Sequence, residues 1–220
     1  MNRDWTFLSP ILVEALGDTL YMVSVSMLVG GVVGLLLGLG LYVARTGNLL
    51  SNGPVFAVLN VLVNIVRPIP FIIFLAAIAP VTREVMGSTL GTTAVIFPMS
   101  IVAAFAFSRI VEQNLVALDP GVIEAARAMG ASRLRIIWSV LIPEALAPLV
   151  LGYTFLFVGV IDMSAMAGLV GGGGLGDFAI RYGYQKFNWE VTFVSLGVII
   201  VIVQLAQLLG NRLARKALHR

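Results

Sequence analysis

The 220-residue chain contains no cysteine and one histidine, His219. Without thiols it has no disulfides and no thiolate chemistry, although that absence does not fix a compartment. A lone imidazole cannot build a metal cluster, and His219 is expected to be solvated. No nucleophile triad and no paired catalytic carboxylates stand out, so a membrane enzyme has little support. Charge is scarce as well. Only 11% of residues are Asp, Glu, Lys or Arg against 59% hydrophobic, and the mean hydropathy of +1.01 excludes a soluble domain of this size.

What is abundant is membrane-length apolar sequence. A span needs roughly 20 apolar residues, and five candidates occur at about Leu20–Ala44, Pro54–Pro80, Leu90–Phe107, Leu146–Val170 and Val191–Leu209. The expectation is an all-α integral membrane protein, a single transmembrane domain over residues 1–220. The first run is too long for a signal-peptide core and lacks a small-residue cleavage site, so it is expected to stay attached. Trp5, Phe7 and Leu8 suggest an interfacial stretch before it.

The basic residues orient the spans. One set of alternating loops holds Arg45, Arg109, Arg127, Arg133, Arg135, Arg212, Arg215, Lys216 and Arg220; the other holds only Arg3, Arg83, Arg181 and Lys186. Positive-inside bias puts the first set in the cytoplasm, with the N-terminus outside and the C-terminus inside. The pI near 9.6 therefore reflects topology and anionic lipid rather than nucleic acid, for which there is little support.

Between the third and fourth runs lies a polar insert with signals for two short helices. Asp119 can cap a helix that starts at Pro120, where no backbone donor is needed, and Gly130 suits the left-handed turn that ends it. Ser132 can cap a second helix, Arg133 to Ile142, and Pro143 is expected to force a new direction before Glu144. Ala125 and Ala126 would leave a shallow notch beside Glu124, where another protein's side chains could seat.

Glu124-Ala125-Ala126, three residues, Gly130, nine residues and then Val140-Leu141-Ile142-Pro143 resemble the coupling loop of permease subunits of ATP-binding cassette importers. Val140 and Ile142 depart conservatively from the usual Ile-x-Leu-Pro ending. In that family the loop docks into a cleft on a cytoplasmic ATPase, which would assign Glu124, Ala125, Ala126, Arg127, Gly130 and Pro143 to coupling and 119–143 to a cytoplasmic coupling helix-turn-helix. Two further segments narrow the resemblance. Arg67-Pro68-Ile69-Pro70-Phe71 and its continuation to Leu75 resemble a signature of methionine importer permeases, with Pro68 in place of the usual Ser. Ser164-Ala165-Met166-Ala167-Gly168, the run Gly171-Gly172-Gly173-Gly174-Leu175-Gly176 and Tyr182-Gly183-Tyr184 resemble other elements of the same permeases.

Within the spans, Arg67 with its prolines interrupts the second run near its middle. An Arg at the bilayer centre costs roughly 2.5–3.5 kcal/mol, and prolines there remove donors that lipid cannot replace. Either Arg67 snorkels to an interface or the segment is a broken helix beside a permeation path. Asp162 departs from the methionine permeases, which usually carry a small residue then an aromatic before Ser-Ala-Met where this chain has Asp162-Met163. An acid in a span faces water, a cation or a protonated partner, or is hydrogen-bonded within the bundle. Arg67, Pro70, Phe71, Asp162, Met163, Ser164 and Met166 are the candidate path residues. The glycine run lacks a following Gly-Lys-Ser/Thr and lies outside in this topology, so nucleotide binding there has little support. It instead lets the chain turn sharply and flexibly at the membrane surface, or approach a neighbouring backbone closely. Ser164, Ala165, Ala167 and Gly168 present the small surface that helix contacts in lipid favour.

The resemblance implies the type I importer permease fold with five spans, in a bacterial inner membrane. It implies import of methionine, D- or L-, or a related apolar amino acid, with another amino acid or small zwitterion as the alternative. No cofactor is expected in this chain, ATP and Mg being bound by the partner. The implied partners are a second copy of the chain, two ATPase subunits and an external or periplasmic substrate-binding protein. A self-sufficient secondary transporter or channel competes, but no clear inverted repeat favours it. Single cysteines placed at Ser132 and Gln185 should label from opposite sides of the membrane with an impermeant reagent. Labelling from the same side would overturn the five-span topology.

Overall fold

A computed structural model describes residues 5–218, and among them every regular element is helical. Arg3, His219 and Arg220, which entered the charge and metal readings, lie outside the described residues. Four long helices are apolar enough to cross a membrane: α1 (Trp5–Ala44), α4 (Thr92–Val116), α8 (Leu146–Gly168) and α10 (Trp189–Leu218). Between the first two, α2 (Gly53–Val66) and α3 (Phe71–Met86) meet at 112° and make up to a fifth span when taken together. The insert holds α5 (Pro120–Ala128), α6 (Arg133–Ile136) and α7 (Ile142–Glu144), and a short α9 (Gly174–Phe178) follows α8.

α1 is 40 residues long, so it reaches about 60 Å, twice the roughly 30 Å hydrocarbon core. The stretch expected to lie separately at the interface is therefore the first part of this helix. Its end is fixed by packing: Leu8 and Ala15 are buried with Leu175, Phe178 and Val191, and Trp5 Nε1 donates to Glu190 Oε1 at 2.8 Å.

The most extensive helix contact joins α1 to α4. Gly30, Gly34 and Gly38 recur every four residues and so share one face of α1. A Cβ added at Gly34 would lie 2.7 Å from the Ala104 carbonyl oxygen, and one at Gly38 would lie 2.5 Å from that of Ser108. The two backbones thus touch with no room for a side chain, as small-residue seams in lipid allow. Buried Val95, Met99, Ala103, Phe107 and Val111 continue the core along α4.

Two expected boundaries change. α4 continues nine residues past Phe107 to Val116, because Arg109 and Glu112 pair within the helix rather than opening a loop. The second insert helix does not break at Pro143. After α6 the backbone widens to a π turn, Ile137–Leu141, and runs on through α7 to Ala145 and α8. Ile142 donates to Ile137 and Ala145 to Leu141, so the ladder skips the donor that Pro143 lacks.

Gly34→Val should overpack this seam and cost about 1–3 kcal/mol, read as an earlier melting transition of the detergent-solubilised protein. Gly17→Val, where an added Cβ meets nothing within 4 Å, is the control expected to melt like the parent.

Candidate functional site

The insert forms a compact knob. Asp119 Oδ1 accepts from the Gly121 amide at 2.8 Å, with Pro120 at the first helical position. At the other end of α5, Gly130 has φ +78° and donates to Arg127, while Ala131 donates to Ala126. This paired bonding is a Schellman cap, which favours glycine because an L side chain is strained at that φ. Ser132 then caps α6 by accepting from the Arg135 amide. All three caps fall where the sequence puts them.

The knob's surface is set by which side chains the caps turn outward. Glu124, Ala125 and Arg127 are exposed, as are Gly130 and Pro143. Ala126 is not: it is 3% exposed and belongs to the main core. The expected Ala125–Ala126 notch therefore reduces to Ala125, since adjacent helical residues point about 100° apart and one must face the bundle. Glu124 and Arg127 form one wall of a groove of about 280 Å³, whose other walls include Tyr42 and Arg45 at the end of α1 and Val116 at the end of α4.

The candidate path residues fall into two groups. Arg67 and Pro70 are exposed at the break between α2 and α3, where Pro70 receives the Ile73 and Phe74 amides and starts α3. Asp162 is exposed on α8, with Met163 and Met166 half-buried. Phe71 and Ser164 are buried instead. Phe71 lies in the apolar cluster against which Met163 and Met166 pack, and the Ser164 hydroxyl donates to Ile161 at 2.7 Å. These two are packing residues rather than surface of a path, because their faces turn toward the rest of their own chain.

The glycine run does both things expected of it, turning the chain and approaching neighbouring backbone. Gly171, Gly173 and Gly174 have positive φ and make the turn, and Gly172, Gly174 and Gly176 are buried. A Cβ on Gly174 would meet Thr19 Oγ1 at 2.7 Å, and one on Gly168 would meet the Gly176 carbonyl carbon at 2.6 Å. The turn is stitched in place by Leu175 N to Thr19 Oγ1 at 2.8 Å and by Gly91 N to Gly171 O at 2.9 Å. Small residues on α8 and in the run meet each other directly.

One polar cluster escaped the sequence reading. Glu112, 4% exposed, pairs with Arg109, which also donates to Asn60 Oδ1 at 2.9 Å and Asn64 Oδ1 at 2.7 Å. The cluster ties α2 to α4 and neutralises a cation that had been counted as a loop charge. The three-residue spacing of Arg109 and Glu112 and the four-residue spacing of Asn60 and Asn64 are the signals that could have revealed it.

A family model described as the binding-protein-dependent transport system inner membrane component matches residues 19–216. The chain belongs to this family. It is 42% identical over 212 residues to the "Probable D-methionine transport system permease protein MetI" of Vibrio cholerae, covering 96% of this chain and 94% of that one. It is 40% identical over 171 residues to the "Methionine import system permease protein MetP" of Bacillus subtilis, covering 78% and 77%. In structure it matches a chain of the inward-facing MetNI methionine ABC transporter with a TM-score of 0.93 and 39% identity, over 99% of both chains. A chain of an amino acid ABC transporter crystallised with histidines shares the fold, at a TM-score of 0.81, 20% identity and 98% coverage of this chain. The permease resemblance carried by the insert and the span motifs therefore holds, and the chain is an inner membrane component of a transport system.

Proposed function

We propose that this permease forms the membrane path of an ATP-driven methionine importer, working as a homodimer with two ATPase subunits and an external substrate-binding protein. The observation that carries the reading is the agreement over nearly the whole chain with the MetNI permease and with permeases named for methionine. The N-terminus lies outside and the C-terminus in the cytoplasm, a topology supported by the basic residues clustered on the insert and the end of α10.

Coupling runs through the knob. An exposed Glu124-Ala125 surface, held by three caps and turned at Gly130 onto the segment that runs from α6 through the π turn into α8, can pass a push from an ATPase into a span. Ala125→Trp should abolish ATP-driven uptake in vesicles and weaken copurification of the ATPase, while the permease remains inserted. Because Ala125 is exposed, the change leaves the bundle intact. Gly130→Val is the less discriminating variant, since at φ +78° it would also undo the cap. Normal uptake with Ala125→Trp would sink the docking assignment.

The path lies where Asp162 faces. Along α8 and its C-cap, exposed Leu151, Phe155, Asp162 and Leu169 line up as a stripe that the chain itself does not cover, with Phe155 73% and Leu169 57% exposed. A carboxylate within a span is not left to lipid, so this stripe faces the second copy across the path. There Asp162 can meet a substrate's ammonium group, and the Met166 thioether can accept an apolar side chain. Asp162→Asn should lower uptake about tenfold or more, the scale of a lost charged hydrogen bond, with complex yield unchanged. If uptake and substrate-stimulated ATPase activity stay normal, Asp162 is structural.

A further inference from the structure

The opposite face of α8 carries a second feature, which the proposed path does not include. A groove of about 540 Å³ runs along it between α1 and α10, within the roughly 300–1,000 Å³ of ligand sites. Its floor is Leu149, Tyr153 and Phe157, and Ala206 and Leu213 form the α10 wall. The only polar side chains in the lining already have partners: Tyr153 donates to the Met27 carbonyl and Thr154 to the Val150 carbonyl, both at 2.8 Å. The surface offered is hydrocarbon.

Its dimensions and position fit one leaflet. Leu146 to Phe157 covers about 16 Å along α8, half of a roughly 30 Å core. Groove residues at 146, 149, 153 and 157 lie about half a helical turn away from the Asp162 stripe, so a second copy across the path leaves this face to the bilayer. At the insert end the lining gives way to interfacial chemistry. Trp138, 59% exposed, lies one turn before Ile142, which lines the groove. On α10, exposed Arg212 adjoins the lining residue Leu213, and exposed Lys216 follows one turn later. Cations and an indole at the mouth of an apolar slot match a phosphate headgroup and its acyl chain.

We infer that this groove is a binding site for an anionic phospholipid of the cytoplasmic leaflet, with one acyl chain between α1 and α10 and its phosphate beside Arg212 and Lys216. The choice of leaflet and the outward direction rest on the topology and dimer proposed above. The site would brace α10, which packs mainly on α8, against the rest of the bundle.

The test uses the permease–ATPase complex in mild detergent, titrated with phosphatidylglycerol or phosphatidylcholine and read by native mass spectrometry. The parent should retain phosphatidylglycerol over phosphatidylcholine by about tenfold, and Arg212→Gln with Lys216→Gln should bring that ratio close to one. Ala206→Trp, which fills the slot, should remove both lipids while the complex keeps its mass. A measurement on the unaltered protein guards against misfolded variants: phosphatidylglycerol with a photoreactive acyl chain should crosslink to Leu149, Tyr153, Ala206 or Leu213. Equal retention of the two lipids by the parent, or crosslinks that avoid the groove, would overturn the site. Crosslinks joining two copies there would overturn it too, by making the face an interface. Uptake is not read, so failure here leaves the importer reading untouched.

Discussion

In a bilayer, bringing two apolar helices together frees no water, so they hold only where backbones can touch and dispersion contacts are dense. The seam of Gly30, Gly34 and Gly38 against Ala104 and Ser108 meets that condition, and the rest of the bundle is laid against it. With α1 and α4 in contact, buried Met22, Met27 and Met99 fill one flank, and Phe71, Phe74 and α8 close the core from another. The same rule is applied again at the outer end, where Gly168, Gly174 and Gly176 bring α9 onto α8 and α1. Both closures depend on the absence of side chains, so the fold tolerates little enlargement at these points.

The insert obeys a different constraint. Outside the membrane its backbone must satisfy its own donors and acceptors or give them to water, and it does so with Asp119, Gly130 and Ser132. Those signals are local in sequence, which is why its caps were legible from residues alone. The π turn was not. It arises because the helix must carry Pro143 into α8 without an unsatisfied carbonyl, a demand visible only once the helix on both sides of the proline is known.

The same distinction separates what was readable elsewhere. Five apolar runs and the Arg67–Pro70 break follow from composition and proline chemistry. The 112° angle between α2 and α3 does not, because it depends on what Phe71 and Phe74 pack against. Of the site residues, Glu124, Arg127, Asp162 and Arg67 are charged and exposed, as charged side chains are expected to be when unpaired within their own chain. Ala126, Phe71 and Ser164 are small or apolar, and nothing in one sequence says which side of a helix such residues face. In the Arg109, Glu112, Asn60 and Asn64 cluster, spacing could show each pair on one helix face, but not that the two pairs, 45 to 49 positions apart, meet.

α8 is where these constraints meet. Its glycine-facing side is fixed by α9, its Tyr153 side leans on α1, and its first turn continues the insert's backbone. Another side carries Asp162 near Phe155 and Leu169. An uncompensated carboxylate on that face is costly in lipid and inexpensive in a water-filled path. That difference in cost is the physical ground for proposing that this face lines a path rather than meeting lipid.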